Sequence, residues 1–141
     1  MTRVVLDASV LLSAAVGRPD SPPSLLLDAA RSGKIEMVAC ERLLAEVRAG
    51  LAGPYFRSRV LEMEAQAFSS MLEAIATMLP DPVAPPPVLR DPNDDFLVAL
   101  ARIADAEAIV TGDRDLLDHE GLQPPARTPR DASLRFGLPV T

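Results

Sequence analysis

Residues 91–117, DPNDDFLVALARIADAEAIVTGDRDLL, restrict the folds open to this chain more than any other stretch. The step Asp91-Pro92-Asn93 is a turn signal, because the residue before a proline is pushed out of the helical region. Asn93 or Asp94 is placed to cap a new helix, with Phe96, Leu97, Leu100, Ile103 and Ala104 recurring along one face. A short β-type run, Ala108-Ile109-Val110, follows and is broken by Thr111-Gly112-Asp113. One helix therefore begins at two carboxylates, Asp94 and Asp95, and the next strand ends at two more, Asp113 and Asp115. Consecutive elements of an α/β fold pack antiparallel, which sets the start of that helix beside the end of that strand. Four carboxylates then crowd one sheet edge, which is costly without a cation.

The rest of the chain has the same grammar. Arg3 to Leu6 reads as a strand ending at Asp7, and Ser9 to Val16 as a helix. Ser21 caps a second helix that runs through Arg31 and stops at Gly33. Ile35 to Ala39 is a strand, and Glu41 to Leu51 a helix with Leu43, Leu44, Val47 and Leu51 turned inward. Arg57 to about Ala76 gives the longest helical pattern, carried by Val60, Leu61, Met63, Phe68, Met71, Leu72 and Ile75. Six prolines between Pro80 and Pro92 impose an extended connection, too short to separate two domains. After the central stretch come a helical turn from Leu116 to His119, a short edge strand after Pro125, and a last helix from Pro129 to Phe136. Strands alternating with helices indicate a parallel sheet with helices on both faces, and 141 residues suffice for one such domain, 1–141.

Composition excludes several function classes. Hydrophobic residues make up 48% and aromatics 4%, so Leu, Val, Ile and Ala must build the core. A single cysteine, Cys40, rules out an internal disulfide and points to a cytoplasmic setting. The apolar start is interrupted by Asp7 and reads as part of the fold, not as a signal peptide. No run reaches the roughly 18 apolar residues of a membrane span. Net charge is −6, and residues 81–120 concentrate it, with ten acids against three arginines. A general basic footprint for nucleic acid is therefore absent, and any polyanion must be met by local arginines and bound metal. The sole histidine, His119, lies in a polar segment, and neither a nucleophilic triad nor a glycine-rich nucleotide loop is present.

Each acid taken alone has a structural account. Asp7 and Asp113 follow strands and precede helices, where a carboxylate commonly caps. Glu46 borders a buried helical stripe and has Arg42 four residues back. Asp94 and Asp95 lie where the helix dipole favours an anion. Taken together, these accounts place several carboxylates at one edge, where two charges about 4 Å apart repel by roughly 4 kcal/mol. All-oxygen ligation of that kind suits Mg²⁺ or Mn²⁺ and not zinc.

Four fragments in order, VVLDASVLLSA, CERLLAEV, DPNDDFLVALA and AIVTGDRDLL, resemble the PIN-domain family. That family includes the toxin members of VapBC-type toxin–antitoxin pairs. The resemblance implies a three-layer α/β/α sandwich with a central parallel sheet, and metal-dependent cleavage of RNA by activated water. It implies Asp7, Glu46, Asp95 and Asp113 as catalytic acids, with metal on Asp7, Asp95 and Asp113. Asp94, one residue off, is an alternative to Asp95; Asp115, Ser9 and Thr111 are accessory. Arg18, Arg90 and Arg114 are candidate phosphate contacts by their nearness in sequence to the acids. Implied partners are RNA, a cognate antitoxin and a second copy, the last through spare apolar surface on the helix after Arg57. Two other readings stand beside this one: a metal-binding interaction module with little turnover, and a receiver-like phosphoacceptor domain. The latter needs a lysine near the acids, and the only lysine is Lys34.

Overall fold

In the computed structural model, which describes residues 1–141, the chain forms five parallel strands: β1 Arg3–Leu6, β2 Glu36–Ala39, β3 Thr77–Met78, β4 Ala108–Val110 and β5 Ala126–Arg127. They stand in the order β3-β2-β1-β4-β5. The first three strands thus progress outward from β1 in one direction, and the last two in the other. This reversal leaves β1 and β4 side by side, with Val4, Val5 and Leu6 opposite Ala108, Ile109 and Val110. In open parallel sheets the crevice beyond the carboxyl ends of two such strands is where ligands bind.

Helices α1 Ala8–Val16, α2 Pro22–Arg31, α3 Glu41–Leu51, α4 Pro54–Arg57, α5 Glu62–Ile75, α6 Asp95–Ile103, α7 Arg114–Leu117 and α8 Pro129–Arg135 flank the sheet. The result is the three-layer sandwich with a parallel centre. Its core is aliphatic, as the composition requires. Leu6, Leu11, Leu26, Met37, Leu43, Leu97, Leu100 and Ile109 are buried, around the one buried aromatic ring, Phe96. Helix α3 turns Leu43, Leu44, Val47 and Leu51 inward as its spacing predicts. Cys40, ahead of α3, is also buried, and burial pushes its thiol up to about 11.

The long helix expected from Arg57 to Ala76 is two helices. Helix α4 stops at Arg57, the guanidinium of Arg59 stacks 3.7 Å from the Tyr55 ring, and α5 starts at Glu62. Glu64 draws the new start, since its Oε1 accepts the Leu61 N–H at 2.9 Å in the reciprocal position of a capping box. Leu61 and Met63 consequently project into solvent, at 71% and 80% exposure, and only Leu72 of the expected apolar set is fully buried. The helical turn expected at Leu116–His119 lies earlier, at Arg114–Leu117, because Asp113 caps it. Strand β3 was not anticipated. It is two residues long, paired through Val38 with Thr77 and Ala39 with Met78, and no periodicity fits in so short a run.

Candidate active site

Asp7 and Thr111 are the first residues beyond the ends of the two central strands. The Asp7 N–H donates to the Val110 carbonyl at 2.9 Å, extending the β1–β4 ladder by one bond. The Asp7 side chain is held twice: Oδ1 accepts the Ala8 N–H at 2.7 Å and Oδ2 accepts the Thr111 hydroxyl at 2.7 Å. The fully buried Thr111 Oγ1 also accepts the Asp113 N–H at 3.0 Å. One hydroxyl thereby fixes one acid by its side chain and a second by its backbone. The Asp113 Oδ1 accepts the Asp115 N–H at 2.9 Å, which caps α7. Of the two hydroxyl positions expected near the acids, Thr111 bonds Asp7 and Asp113 directly, whereas Ser9 is exposed on α1 and makes no such contact.

The two acids at the head of α6 do different things. Asp91 caps the 3₁₀ turn Pro92–Asp94, accepting the Asn93 N–H at 2.9 Å, and α6 proper begins at Asp95. Asp95 is 3% exposed, and its Oδ1 accepts the main-chain N–H groups of Val88 and Leu89 at 3.1 and 2.7 Å. It ties the proline-rich connection to the helix. Asp94 is the N-cap residue by position, yet its carboxylate makes no capping bond. Its surroundings are the other acids. Burial, followed by the charges of Asp7, Asp91, Asp113 and Asp115, raises Asp94 from the ordinary 3.8 to about 6. The sequence favoured Asp95 with Asp94 as its alternative; in the fold Asp95 is occupied by the main chain and Asp94 is the one that feels the other acids. Successive helical residues point about 100° apart, so one carboxylate turns inward and the other faces the site.

Glu46 comes to the same field from α3. Burial raises its carboxyl above the ordinary value, the charges of Asp7 and Asp94 raise it further, and Arg42 opposes them. Asp7 is also raised, chiefly by burial, with Thr111 and the Ala8 N–H working against the rise and Asp113 adding to it. Asp7, Glu46, Asp94 and Asp113 thus act on one another across four separate elements. None of them forms a salt bridge. Of the candidate arginines, Arg18 pairs with Asp20 at 3.4 Å and Arg114 with Asp118 at 3.1 Å, both in solvent, while Arg90 is exposed near the head of α6. Sequence reading treated Arg42 only as a helix-surface partner of Glu46. Beyond its effect on Glu46, its guanidinium sits 4.3 Å from the Phe96 ring centre and donates to the Asn93 carbonyl at 2.9 Å.

No three Asp, Glu, His or Cys side chains stand close enough, as placed, to share a metal ion. The donor set nevertheless fits a hard divalent cation. It consists of carboxylates alone, partly buried, mutually repelling and without a basic partner in salt-bridge contact. A groove of about 490 Å³ between α3 and α5, lined by Arg48, Leu51, Arg57 and Glu73, contains none of these acids.

A doubly wound parallel sheet with Asp7 and Asp113 just beyond the carboxyl ends of its two central strands defines the class, an α/β domain with an acidic sheet edge. The chain belongs to the PIN domain family, which it matches over residues 3–115, and PIN domains are generally nucleases. Its fold is similar to the crystal structure of PAE2754 from Pyrobaculum aerophilum, with a TM-score of 0.67 over 96% of this chain and 90% of that one, at 18% identity. No curated protein matches the sequence. No helix is long and apolar enough to cross a membrane.

Proposed function

We propose that this PIN domain is a metal-dependent endoribonuclease whose Asp7, Glu46, Asp94 and Asp113 form one site for Mg²⁺ or Mn²⁺. The observation that carries the reading is electrostatic: four elements deliver carboxylates into one field, and Asp94 is raised to about 6 with no base in contact to relieve it. A divalent ion held there would supply positive charge to a phosphodiester and lower the pKa of a bound water toward neutrality. The chain's own residues then divide the remaining work. Thr111 keeps Asp7 and Asp113 in register across the two central strands. Asp94 supplies the acid that sequence reading gave to Asp95, which serves as an anchor. Glu46, with its raised carboxyl, is suited to take a proton from the attacking water.

The finer reading is a toxin-type ribonuclease held by a cognate antitoxin and active as a homodimer. The family resemblance supports it, as do the exposed Leu61 and Met63 at the start of α5. A single-subunit mass by light scattering at tens of micromolar would remove the homodimer.

The decisive assay follows cleavage of single-stranded RNA in Mn²⁺ and in chelator. Asp7→Asn, Glu46→Gln, Asp94→Asn and Asp113→Asn should each lower the metal-dependent rate by at least about a hundredfold, with little further loss in double variants. Asp105→Asn and Asp118→Asn, from the same acidic half of the chain, should retain it. Cleavage that persists in chelator, or undiminished cleavage by Asp7→Asn, refutes the proposal. Tight Mn²⁺ binding without any turnover would instead identify a metal-binding interaction module.

A further inference from the structure

Resting on the reading of Glu46 and Asp94 as one site, we infer that Arg42 is its positioning residue, a strut that sets the α3 acid against the head of α6. Arg42 makes two hydrogen bonds and a ring contact outside its own helix, and these go to the connection that delivers Asp94 and to the head of α6. Its backbone N–H donates to Asp81 Oδ1 at 3.0 Å, fixing the start of the proline-rich segment to α3. Its Nη2 donates to the Asn93 carbonyl at 2.9 Å, one residue before Asp94. Its guanidinium lies on the ring of Phe96, two residues after Asp94 and fully buried. Glu46 stands four residues on, one turn along the same helix. The turn bearing Asp94 is thus held from both sides by a side chain rooted beside Glu46.

Arginine suits this role for a geometric reason. A planar guanidinium can lie over an aromatic ring while one of its N–H groups bonds a carbonyl. Lysine carries the same charge but cannot do both. Arg42 forms no salt bridge, although its charge lies near enough to Glu46 to oppose the rise of that carboxyl. Beyond that charge, its side-chain contacts go to the turn that carries Asp94 and not to a carboxylate of the site.

The sign of one measurement separates these roles. A cation near a metal site repels the metal, so if Arg42 acted only through charge, Arg42→Met should tighten Mn²⁺ binding. As a strut, its loss should weaken Mn²⁺ binding by about tenfold or more, the usual cost of removing a residue that orients ligands. Arg42→Lys, which keeps the charge, should not restore it. Calorimetric titration of full-length protein with Mn²⁺ reads this directly, and tighter binding in Arg42→Met or full rescue by Arg42→Lys overturns the inference. Amide exchange in metal-free protein supplies the second arm. The amides of residues 93–96 should exchange at least about tenfold faster in Arg42→Met, while those of β1 and β4 are unchanged; equal protection overturns the inference. Wild-type protein that binds no Mn²⁺ would refute the proposed function, and the amide exchange would still decide whether Arg42 is a strut.

Discussion

Asp94→Asn should make the metal-free protein more stable and the metal-loaded protein less so. The wild-type carboxyl is displaced from 3.8 to about 6, first by burial and then by Asp7, Asp91, Asp113 and Asp115. Taken at face value, that displacement separates the charged and neutral forms by about 3 kcal/mol. The carboxylate is partly open to solvent, however, and screening reduces the usable figure to about 1 kcal/mol. The sign follows from proton linkage. Between the ordinary value near 3.8 and the folded value near 6, the folded state binds the extra proton. The favourable contribution of Asp94 is therefore complete below the lower value and lost as pH rises through the upper one. An amide never ionises, so in chelator at about pH 8 Asp94→Asn should melt about 4 °C above wild type, and at about pH 4 the two should coincide. Mn²⁺ reverses the order. At a hundredfold excess over its dissociation constant it stabilises the wild type by about 2.7 kcal/mol, and a protein with one ligand fewer gains less. Thermal melts in chelator and in Mn²⁺, at both pH values, give the whole test. A variant less stable than wild type in alkaline chelator, or a gain independent of pH, would refute the electrostatic account of the site.

Asp95→Ala should behave oppositely to Asp94→Asn in chelator. It strands the Val88 and Leu89 N–H groups and should cost about 1–3 kcal/mol by urea denaturation, with or without metal. Thr111→Val keeps the shape of a buried side chain but removes the donor to Asp7 and the acceptor for the Asp113 N–H. A similar loss of about 1–3 kcal/mol is expected, together with weaker Mn²⁺ binding by titration. A Thr111→Val protein with wild-type affinity and stability would show that the hydroxyl bridge is not what aligns the two acids.

Much of this architecture was legible because it rests on features longer than the pattern that reveals them. Helix α3 announced its buried face through four apolar residues over three turns, and β1 and β4 are followed within three residues by the acids Asp7 and Asp113. The break between α4 and α5 was not legible, because the apolar spacing continues across it. The signal lay in polar residues: Glu62 and Glu64 are favoured in a first helical turn, and Glu64 caps the Leu61 amide. The choice between Asp94 and Asp95 turned on a finer point. Pro92 and the capping Asp91 insert a 3₁₀ turn, and whether the α-helix starts before or after it decides which carboxylate faces inward. The i−4 relation of Arg42 to Glu46 was legible and its charge does act on that carboxyl, but its direct partners, Asp81, Asn93 and Phe96, are distant in sequence and gave no local signal.

The grip of Asp95 on the connection has a consequence for how this protein can be altered. It holds main-chain N–H groups, and Asp81 likewise takes the main-chain N–H of Arg42, so neither anchor reads a side chain of the segment between them. Residues 82–87 run from one clamp to the other, with Val83 at 92% exposure and only Pro82 and Pro85 half-buried. The segment is therefore a natural cassette. A tag, a fluorophore-bearing loop or a peptide of different composition could replace it at a closure cost that grows only as the logarithm of its length, with the acids beside it left undisturbed.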